Sequence, residues 1–509
     1  MNRLKPFLTL RYAVIQLVTL VSIFLLAAGS SLSIEARQRV NYAATRTTAW
    51  QESAARKRMD GLWVGILETQ GQKVRMILHV TQDSAGALSA KLDVPDQGAS
   101  DLPIDSINLQ GQTFSFAAKN LGLSYEGTLA SDGLEIAGQL KQGPATFPVT
   151  FKKVDKLPAL NRPQDPQKPY PYLEEEVGYE NKADAVKLTG TLTLPRTGGP
   201  FPAVVLISGS GSQDRNETIA GHRPFLVLAD YLTRLGIAVL RVDDRGMGGS
   251  SAGALTATTE NFAGDVLTGV EFLKSRKEIN PRQIGLIGHS EGGIIAPMAA
   301  VRSKDVSFIV LMAGTGLPGD EVILLQTDAI IRAQGGSEEG IRLTRELFTG
   351  IWDILKGKEA SASAEKQIRE FISTKTAAMT EAQRTGLAPI LKTIDTQLQQ
   401  FYLTEWFRFF LRFDPRPTLS KVKIPVLALN GEMDLQVPYK ENLEAISTAL
   451  KQGGNKDYSV VRLPGLNHLF QHTSTGLITE YGEIEETISP VALKAMSDWI
   501  LKHTTQNKK

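Results

Sequence analysis

The chain has 509 residues and not one cysteine. Disulfides, thiolate nucleophiles, cysteine metal sites and a lipid-carrying cysteine behind a leader are therefore excluded. Excess charge is also lacking, since 56 Lys and Arg stand against 54 Asp and Glu, a formal +2. With no basic stripe and no acidic tail, nothing calls for nucleic acid or a strongly charged partner. Histidine is scarce, with six in all, so any imidazole chemistry has few candidates. Long apolar runs are nearly missing. The exception is Tyr12 to Ala28, 17 uncharged residues preceded by Arg3, Lys5 and Arg11 and followed by Gly29 and Ser30. That is the layout of a charged n-region, an h-region and a cleavage zone, although the run is barely long enough to span a bilayer. Residues 1–29 are expected to be a signal peptide or an inner-membrane anchor. The protein is then exported, periplasmic or secreted, or anchored facing the periplasm. Removing the three cations of this segment takes the formal balance from +2 to −1.

The length predicts two or three domains. Residues 30–57 are polar and Ala/Arg-rich, a linker or short helix. From 58 to 155 short alternating runs such as Leu62–Leu67 and Val74–Val80 recur between turn signals such as Asp132-Gly133. This predicts an all-β module, a small barrel or sandwich. A Pro-rich linker follows at 156–171. Over 172–505 apolar strands alternate with amphipathic helices, which predicts a doubly wound, mostly parallel sheet, an α/β architecture. The alternation breaks at about 316–419, where a helical insertion is expected at the end of the sheet.

Two stretches match Gly-x-Ser-x-Gly, a pattern short enough to arise by chance. Gly249-Ser250-Ser251-Ala252-Gly253 follows a polar loop and leads into Thr-rich sequence, so Ser251 reads as a loop serine. Gly288-His289-Ser290-Glu291-Gly292 follows the apolar run Ile284–Ile287 and leads straight into a helical segment. That context is a nucleophile elbow, in which glycines leave room for a turn that forces the serine into a strained conformation. A serine needs a histidine to take its proton, and the histidine needs a carboxylate to orient it. His468 and His472 both follow the last strand, with His468 the nearer, and Asp434 and Glu432 compete in the loop after the preceding strand. The order expected is Ser290, Asp434, His468. Oxyanion donors are expected from the backbone amides of Glu291, at a helix start, and of Ser210 (or Gly211) in the Gly-rich loop Ser208–Ser212. Asp243, Asp244 and Arg245 read as braces of their loop.

Residues 172–505 resemble the α/β-hydrolase superfamily, in particular its lid-bearing esterase and serine-aminopeptidase-like branch. The residues that carry the likeness are Ser-Gly-Ser-Gly at 208–211, Asp-Arg-Gly-x-Gly at 244–248, Gly-His-Ser-Glu-Gly at 288–292, Gly-Glu-Met-Asp at 431–434 and Asn-His at 467–468. With the β module included, the chain is similar to exported two-domain bacterial carboxylesterases. The resemblance implies hydrolysis of short-to-medium acyl esters through an acyl-enzyme, a small-molecule ester substrate, and no metal or organic cofactor. Two departures stand out: Ser208-Gly209 where His-Gly is common, and Glu291 where many relatives carry Leu, Met or Gln. The aromatic end of the insertion, including Trp406, Phe407 and Phe410, is either a core stripe or the apolar wall of an acyl pocket. Two alternatives stay open. One is an amide- or peptide-cleaving relative in which Glu291 and the aromatics of the insertion grip a peptide terminus. The other is a cell-surface protein whose β module stacks glycan on Trp63, Phe114 or Tyr125.

Overall fold

The computed structural model describes residues 59–69, 72–83, 87–94, 99–142, 145–157 and 161–505. The expected leader (1–29) and the linker at 30–57 lie outside the described residues. The chain divides into two compact units, one reaching to Asn161 and the other running from Arg162 onward with a short exception at Tyr481–Glu483.

The first unit is a meander of β1 (Gly61–Thr69), β2 (Gln72–Gln82), β3 (Leu88–Val94), β4 (Ala99–Pro103), β5 (Ser106–Gln110), β6 (Thr113–Ala118), β7 (Leu123–Leu129), β8 (Glu135–Gln142) and β9 (Ala145–Val154). The strands form one antiparallel sheet in the order β4-β3-β2-β1-β9-β8-β7-β6-β5. Strict alternation drives this, as in β7, where Leu123, Tyr125, Gly127 and Leu129 are buried and the residues between them exposed. The sheet wraps around one core holding Trp63, Phe114, Tyr125 and Phe151. Tyr125 stacks on Phe116 at 5.4 Å between ring centroids and meets Phe151 edge-on at 5.1 Å. Its hydroxyl lies 3.0 Å from the carbonyls of Ile136 and Val149. Trp63, Phe114 and Tyr125 are thus core residues and offer no surface platform for a sugar.

The second unit begins with β10 (Leu173–Asn181) and β11 (Val186–Leu194), an antiparallel pair. Then come β12 (Phe201–Ile207), α1 (Pro224–Arg234), β13 (Ala238–Val242), α2 (Thr259–Lys274), β14 (Ile279–His289), α3 (Gly292–Arg302) and β15 (Phe308–Met312). After an insertion the series resumes with β16 (Val426–Gly431), α10 (Tyr439–Gln452), β17 (Tyr458–Leu463) and α11 (Pro490–Thr505). The strand order is β10-β11-β13-β12-β14-β15-β16-β17, parallel from β13 onward. Along β12, Ala203, Val205 and Ile207 face a core shared with α2, α3 and α10, while Val204 and Leu206 face one shared with α1 and α11. A strand covered on both faces has to be apolar throughout, which is why these runs read as unbroken hydrophobic stretches.

The insertion between β15 and β16 consists of α4 (Gly319–Ala333), α5 (Glu338–Lys356), α6 (Ser361–Ala377), α7 (Glu381–Gln397), a π-turn at Leu398–Tyr402, α8 (Glu405–Arg412) and α9 (Arg416–Leu419). Its helices start on hydroxyl caps where the sequence offers them: the Ser337 side chain accepts from the Gly340 amide, that of Thr380 from Gln383 and that of Thr404 from Phe407. On α5, Leu343, Leu347, Phe348, Ile351, Trp352 and Leu355 form one apolar stripe that builds a core of the insertion's own.

One boundary differs from expectation. The Pro-rich stretch 156–171 reads as a linker, yet from Arg162 it belongs to the second unit. The Gln164 side chain donates to the Ile488 carbonyl at 2.6 Å and accepts from the Ile488 amide at 3.1 Å, standing in for a paired strand. Asp165 bonds Arg223 at 2.6 Å. Prolines set the backbone extended, but side chains elsewhere decide whether that extended chain docks.

Phe308 is 1% exposed and fills the space left by Gly285, where a Cβ would stand 2.1 Å from its ring. Phe308→Ala is expected to cost about 3–5 kcal/mol and Gly285→Ala about 1–3 kcal/mol through overpacking. Both should appear as lower urea midpoints for the transition of the second unit.

Candidate active site

β14 ends at His289, and Ser290 sits at φ +54, a left-handed conformation that an ordinary residue adopts only under constraint. Such a residue costs about 1–3 kcal/mol, supplied by the surroundings. The constraint is visible in the glycines. A Cβ at position 288 would stand 2.0 Å from the Gly292 carbonyl oxygen, and one at 292 would stand 2.3 Å from that of Ile207. One at 293 would meet the Gly314 Cα at 2.4 Å. The turn is clamped from the next strand as well, since the Ser290 amide donates to the Met312 carbonyl at 2.8 Å. Ser290 is partly exposed between the buried His289 and Glu291. Glu291 caps α3, so its amide lies where helix N–H groups lack intrahelical partners.

Asp434 and His468 meet as the spacing predicts. His468 Nδ1 lies 2.8 Å from Asp434 Oδ2, with both side chains buried. The other carboxylate oxygen accepts from the amides of Gln436 and Val437 at 2.8 and 2.9 Å. One oxygen is thereby fixed by its own turn and the other aims at the imidazole. With Nδ1 donating to Asp434, Nε2 is the nitrogen left basic. Asn467 shapes the turn that carries His468, its Oδ1 accepting from the amides of Leu469 and Gln471, each at 3.0 Å. The competitors go elsewhere: Glu432 lies 3.5 Å from Arg462, and His472 pairs with Glu486 near the surface.

The Gly-rich loop after β12 runs directly beside the elbow. A Cβ on Gly209 would stand 3.1 Å from the Ser290 Cβ. The Ser208 hydroxyl donates to both oxygens of Asp244, at 2.9 and 3.0 Å, and the Gln213 amide donates to the same carboxylate at 2.9 Å. Ser208, in place of the common histidine, thus anchors the loop to the strand beside it. Burial drives the Asp244 carboxyl well above the usual range, against the pull of those two donors. Asp243 behaves oppositely. Burial works against its charge too, but Arg215, at 2.7 Å, and the Gly249 and Arg215 amides hold it below the usual range. Arg245 bonds Asp184 and Asp265. These three residues are the loop braces expected of them.

Glu291 has a role the sequence did not reveal. It is buried, and its Oε1 accepts from the Thr259 hydroxyl at 2.7 Å and the Trp406 indole N–H at 2.8 Å. Burial pushes its carboxyl up, while Thr259, Trp406 and the Ser210 hydroxyl pull it down. One side chain therefore joins the elbow, the start of α2, the Gly-rich loop and α8. Of the three aromatic residues proposed for substrate contact, Trp406 bonds Glu291 directly, and Phe410 stacks on Trp406 at 5.7 Å between ring centroids. Phe407 is a correction, being 3% exposed and packed on Tyr402 and Trp352 at 5.1 and 5.4 Å within the insertion's core. Phe410 is 8% exposed and joins the core on the α2 and α3 face of the sheet while stacking on Trp406. A helix turning every 3.6 residues sends the adjacent Trp406 and Phe407 to different layers and keeps Trp406 and Phe410 on one face.

Ser251 is a structural serine. Its hydroxyl accepts from the Lys187 amide, and that of Ser250 from the Thr189 amide, both at 2.9 Å, completing the edge of β11 where the β13 pairing stops. A recess of about 130 Å³ adjoins the Gly-rich loop, bounded by Gly209, Gly211 and Glu291 and by the apolar Leu188, Phe262 and Val266. Sequence reasoning also missed Glu217. It is 1% exposed at φ +52, accepts from the Gly209 amide at 2.7 Å and lies 2.9 Å from His289 Nδ1. The only local signal is Asp214, whose carboxylate accepts from the Thr218 amide at 2.8 Å and fixes the turn.

A family model described as "Alpha/beta hydrolase family" matches residues 204–477, just over half of the chain. Over 299 residues the chain is 27% identical to the esterase EstD of Thermotoga maritima, a match covering 58% of this chain and 61% of EstD. It therefore spans less than two thirds of that relative's length. Among solved structures it is similar to Est1E of Butyrivibrio proteoclasticus, determined with ferulic acid bound, at 17% identity. That match covers 64% of this chain and 99% of Est1E with a TM-score of 0.38. It is also similar to the esterase PF2001 of Pyrococcus furiosus at 16% identity, covering 66% and 91% of the two chains with a TM-score of 0.37.

Trp406→Phe removes one donor from a buried carboxyl and is expected to cost about 1–3 kcal/mol. Hydrogen exchange should quicken over 405–412 and stay unchanged over 338–356. Equal exchange in both segments would show that the bond holds nothing in place.

Proposed function

The chain belongs to the alpha/beta hydrolase family, and from that premise we propose that it is a serine carboxylesterase. The observation that carries this reading is the buried Asp434–His468 pair at 2.8 Å, whose imidazole packs 4.7 Å from that of His289, the residue before a serine held in a left-handed elbow. In the proposed reaction His468 Nε2 takes the Ser290 hydroxyl proton as the oxygen attacks the ester carbonyl. The amides of Ser210 and Glu291 receive the oxyanion; that of Gly209 is already given to Glu217. His468 then returns the proton to the departing alcohol, leaving an acyl group on Ser290. Water, deprotonated by His468, attacks the acyl carbonyl; the bond to the Ser290 oxygen breaks, His468 returns the proton to that oxygen, and the acid leaves. The Asp434 carboxylate stabilises the imidazolium formed in each half-reaction.

Short-to-medium acyl esters, which the sequence resemblance implies, are the proposed substrates; the recess beside the Gly-rich loop is lined by neither Ser290 nor His468 and carries Asp243, Asp244 and Arg245 in its wall, so it sets no acyl length. The insertion at 319–419 is proposed as a lid, fastened at Trp406 to Glu291. Since Glu291 already accepts three donors, it is poorly placed to grip an amine, and the ester reading is preferred to an aminopeptidase-like one. Export to the periplasm, by cleavage or with anchorage, rests on the composition of residues 1–29.

The test is turnover of nitrophenyl acetate, butyrate and octanoate by a chain starting near residue 35. Ser290→Ala should abolish it, and full activity in that variant would overturn the assignment. Asp434→Asn should keep the fold but lower kcat by about 10⁴, because the amide orients the imidazole in the wrong tautomer. Aminoacyl-nitroanilides should turn over far more slowly than the esters.

A further inference from the structure

Behind the elbow lies a second histidine–carboxylate pair that the proposed reaction does not use. His289 is 3% exposed, and its ring centroid is 4.7 Å from that of His468. Nδ1 lies 2.9 Å from Glu217 Oε1, and Nε2 lies 3.0 Å from the backbone carbonyl oxygen of His468. A carboxylate and a carbonyl only accept, so a ring facing both is satisfied on each side only when both nitrogens carry hydrogen. With Glu217 ionised, the geometry thus selects the imidazolium. Glu217 Oε1 also accepts the Gly209 amide at 2.7 Å, so the pair touches the Gly-rich loop, the elbow strand and the loop carrying His468.

We propose that Glu217 and His289 form a buried carboxylate–imidazolium pair that positions the proposed oxyanion loop and the His468 loop against the elbow. They are positioning residues, acting on the reaction through Gly209 and His468. The arrangement leaves the amide of Ser210 for the substrate by engaging that of Gly209, and it sets the height of the His468 backbone over Ser290. The charge balance agrees. Burial disfavours the His289 cation, but the charge and hydrogen bond of Glu217, the His468 carbonyl and the charge of Asp434 outweigh it and raise its pKa. The groups acting on the pair are His468 and Asp434, which bear on His289, and Asp244, which feels the charges of Glu217 and Glu291. Because the folded value is raised, the pair is intact below the ordinary imidazole range and is lost as pH rises through the raised value. Above it, neutral His289 has one hydrogen for two acceptors and one loop is released.

This inference rests on the esterase reading for its kinetic arm only. With nitrophenyl butyrate, Glu217→Gln is expected to lower kcat about 10- to 100-fold while KM changes little, since chemistry and not binding loses its geometry. Its alkaline limb of kcat should move down by about one pH unit or more, and in His289→Gln that limb should vanish. A limb that stays in place with kcat within about twofold of the parent would overturn the proposal. The second arm needs no activity and no variant of the pair. His503 also faces two acceptors, Trp499 O and Asp457, so a chain carrying His503→Gln is labelled with ¹⁵N-histidine. One buried ring should keep both nitrogens protonated above the pH range in which an ordinary imidazole has lost one. If no imidazolium survives there, the proposal fails even if Ser290 proves to be the nucleophile. If it survives while Ser290→Ala remains active, the pair stands and the esterase reading fails.

Discussion

The turn at Gly288–Gly292 places Ser290 in a left-handed backbone conformation, and the packing around it is arranged to keep it there. Three glycines leave no room for a side chain: Gly288 against Gly292, Gly292 against the end of β12, and Gly293 against Gly314. These contacts bring α3 down onto the central strands and turn the serine outward. They also bring Gly209 to the Ser290 Cβ, so the Gly-rich loop has one position available to it. A nucleophile held in this way needs no rearrangement to present its hydroxyl, at the expense of local strain that the close-packed sheet sustains.

Around that turn the protein buries three acidic side chains, Glu217, Glu291 and Asp434, each at 3% exposure or less, and half-buries a fourth, Asp244. An unpaired buried carboxylate would cost several kcal/mol, so each must be met by donors. The donors come from different segments. Asp244 holds the Gly-rich loop, Glu217 ties that loop to His289, Glu291 ties the elbow to α2 and α8, and Asp434 holds His468. The cost of burial makes each carboxylate selective for one arrangement of its loops, and the site's geometry is the sum of these knots.

Much of this was legible in the chain. Ile284–Ile287, Val426–Leu429 and Val460–Leu463 are apolar runs ending in turn residues, and the proposed Ser290, Asp434 and His468 follow them closely. The spacing also separated Ser290 from Ser251, because an apolar run into a helix differs from a polar loop into threonines. The aromatic end of the insertion was ambiguous, since Trp406, Phe407 and Phe410 lie within little more than one helical turn and their layers depend on what packs on each side. Gln164 and Asp165, inside a proline-rich stretch, gave no sign that they dock.

The sequence by itself determined the elements whose causes are local: the strands and helices through hydrophobic period, the elbow through glycine spacing, and the order of the candidate triad. Tertiary structure alone decided the partners of the buried charges. Glu217 meets His289 across 72 residues, and Glu291 meets Trp406 across 115. Nothing in the chemistry of a glutamate specifies which donor it will find. That choice is made when packing removes water from around it and leaves one neighbour within reach.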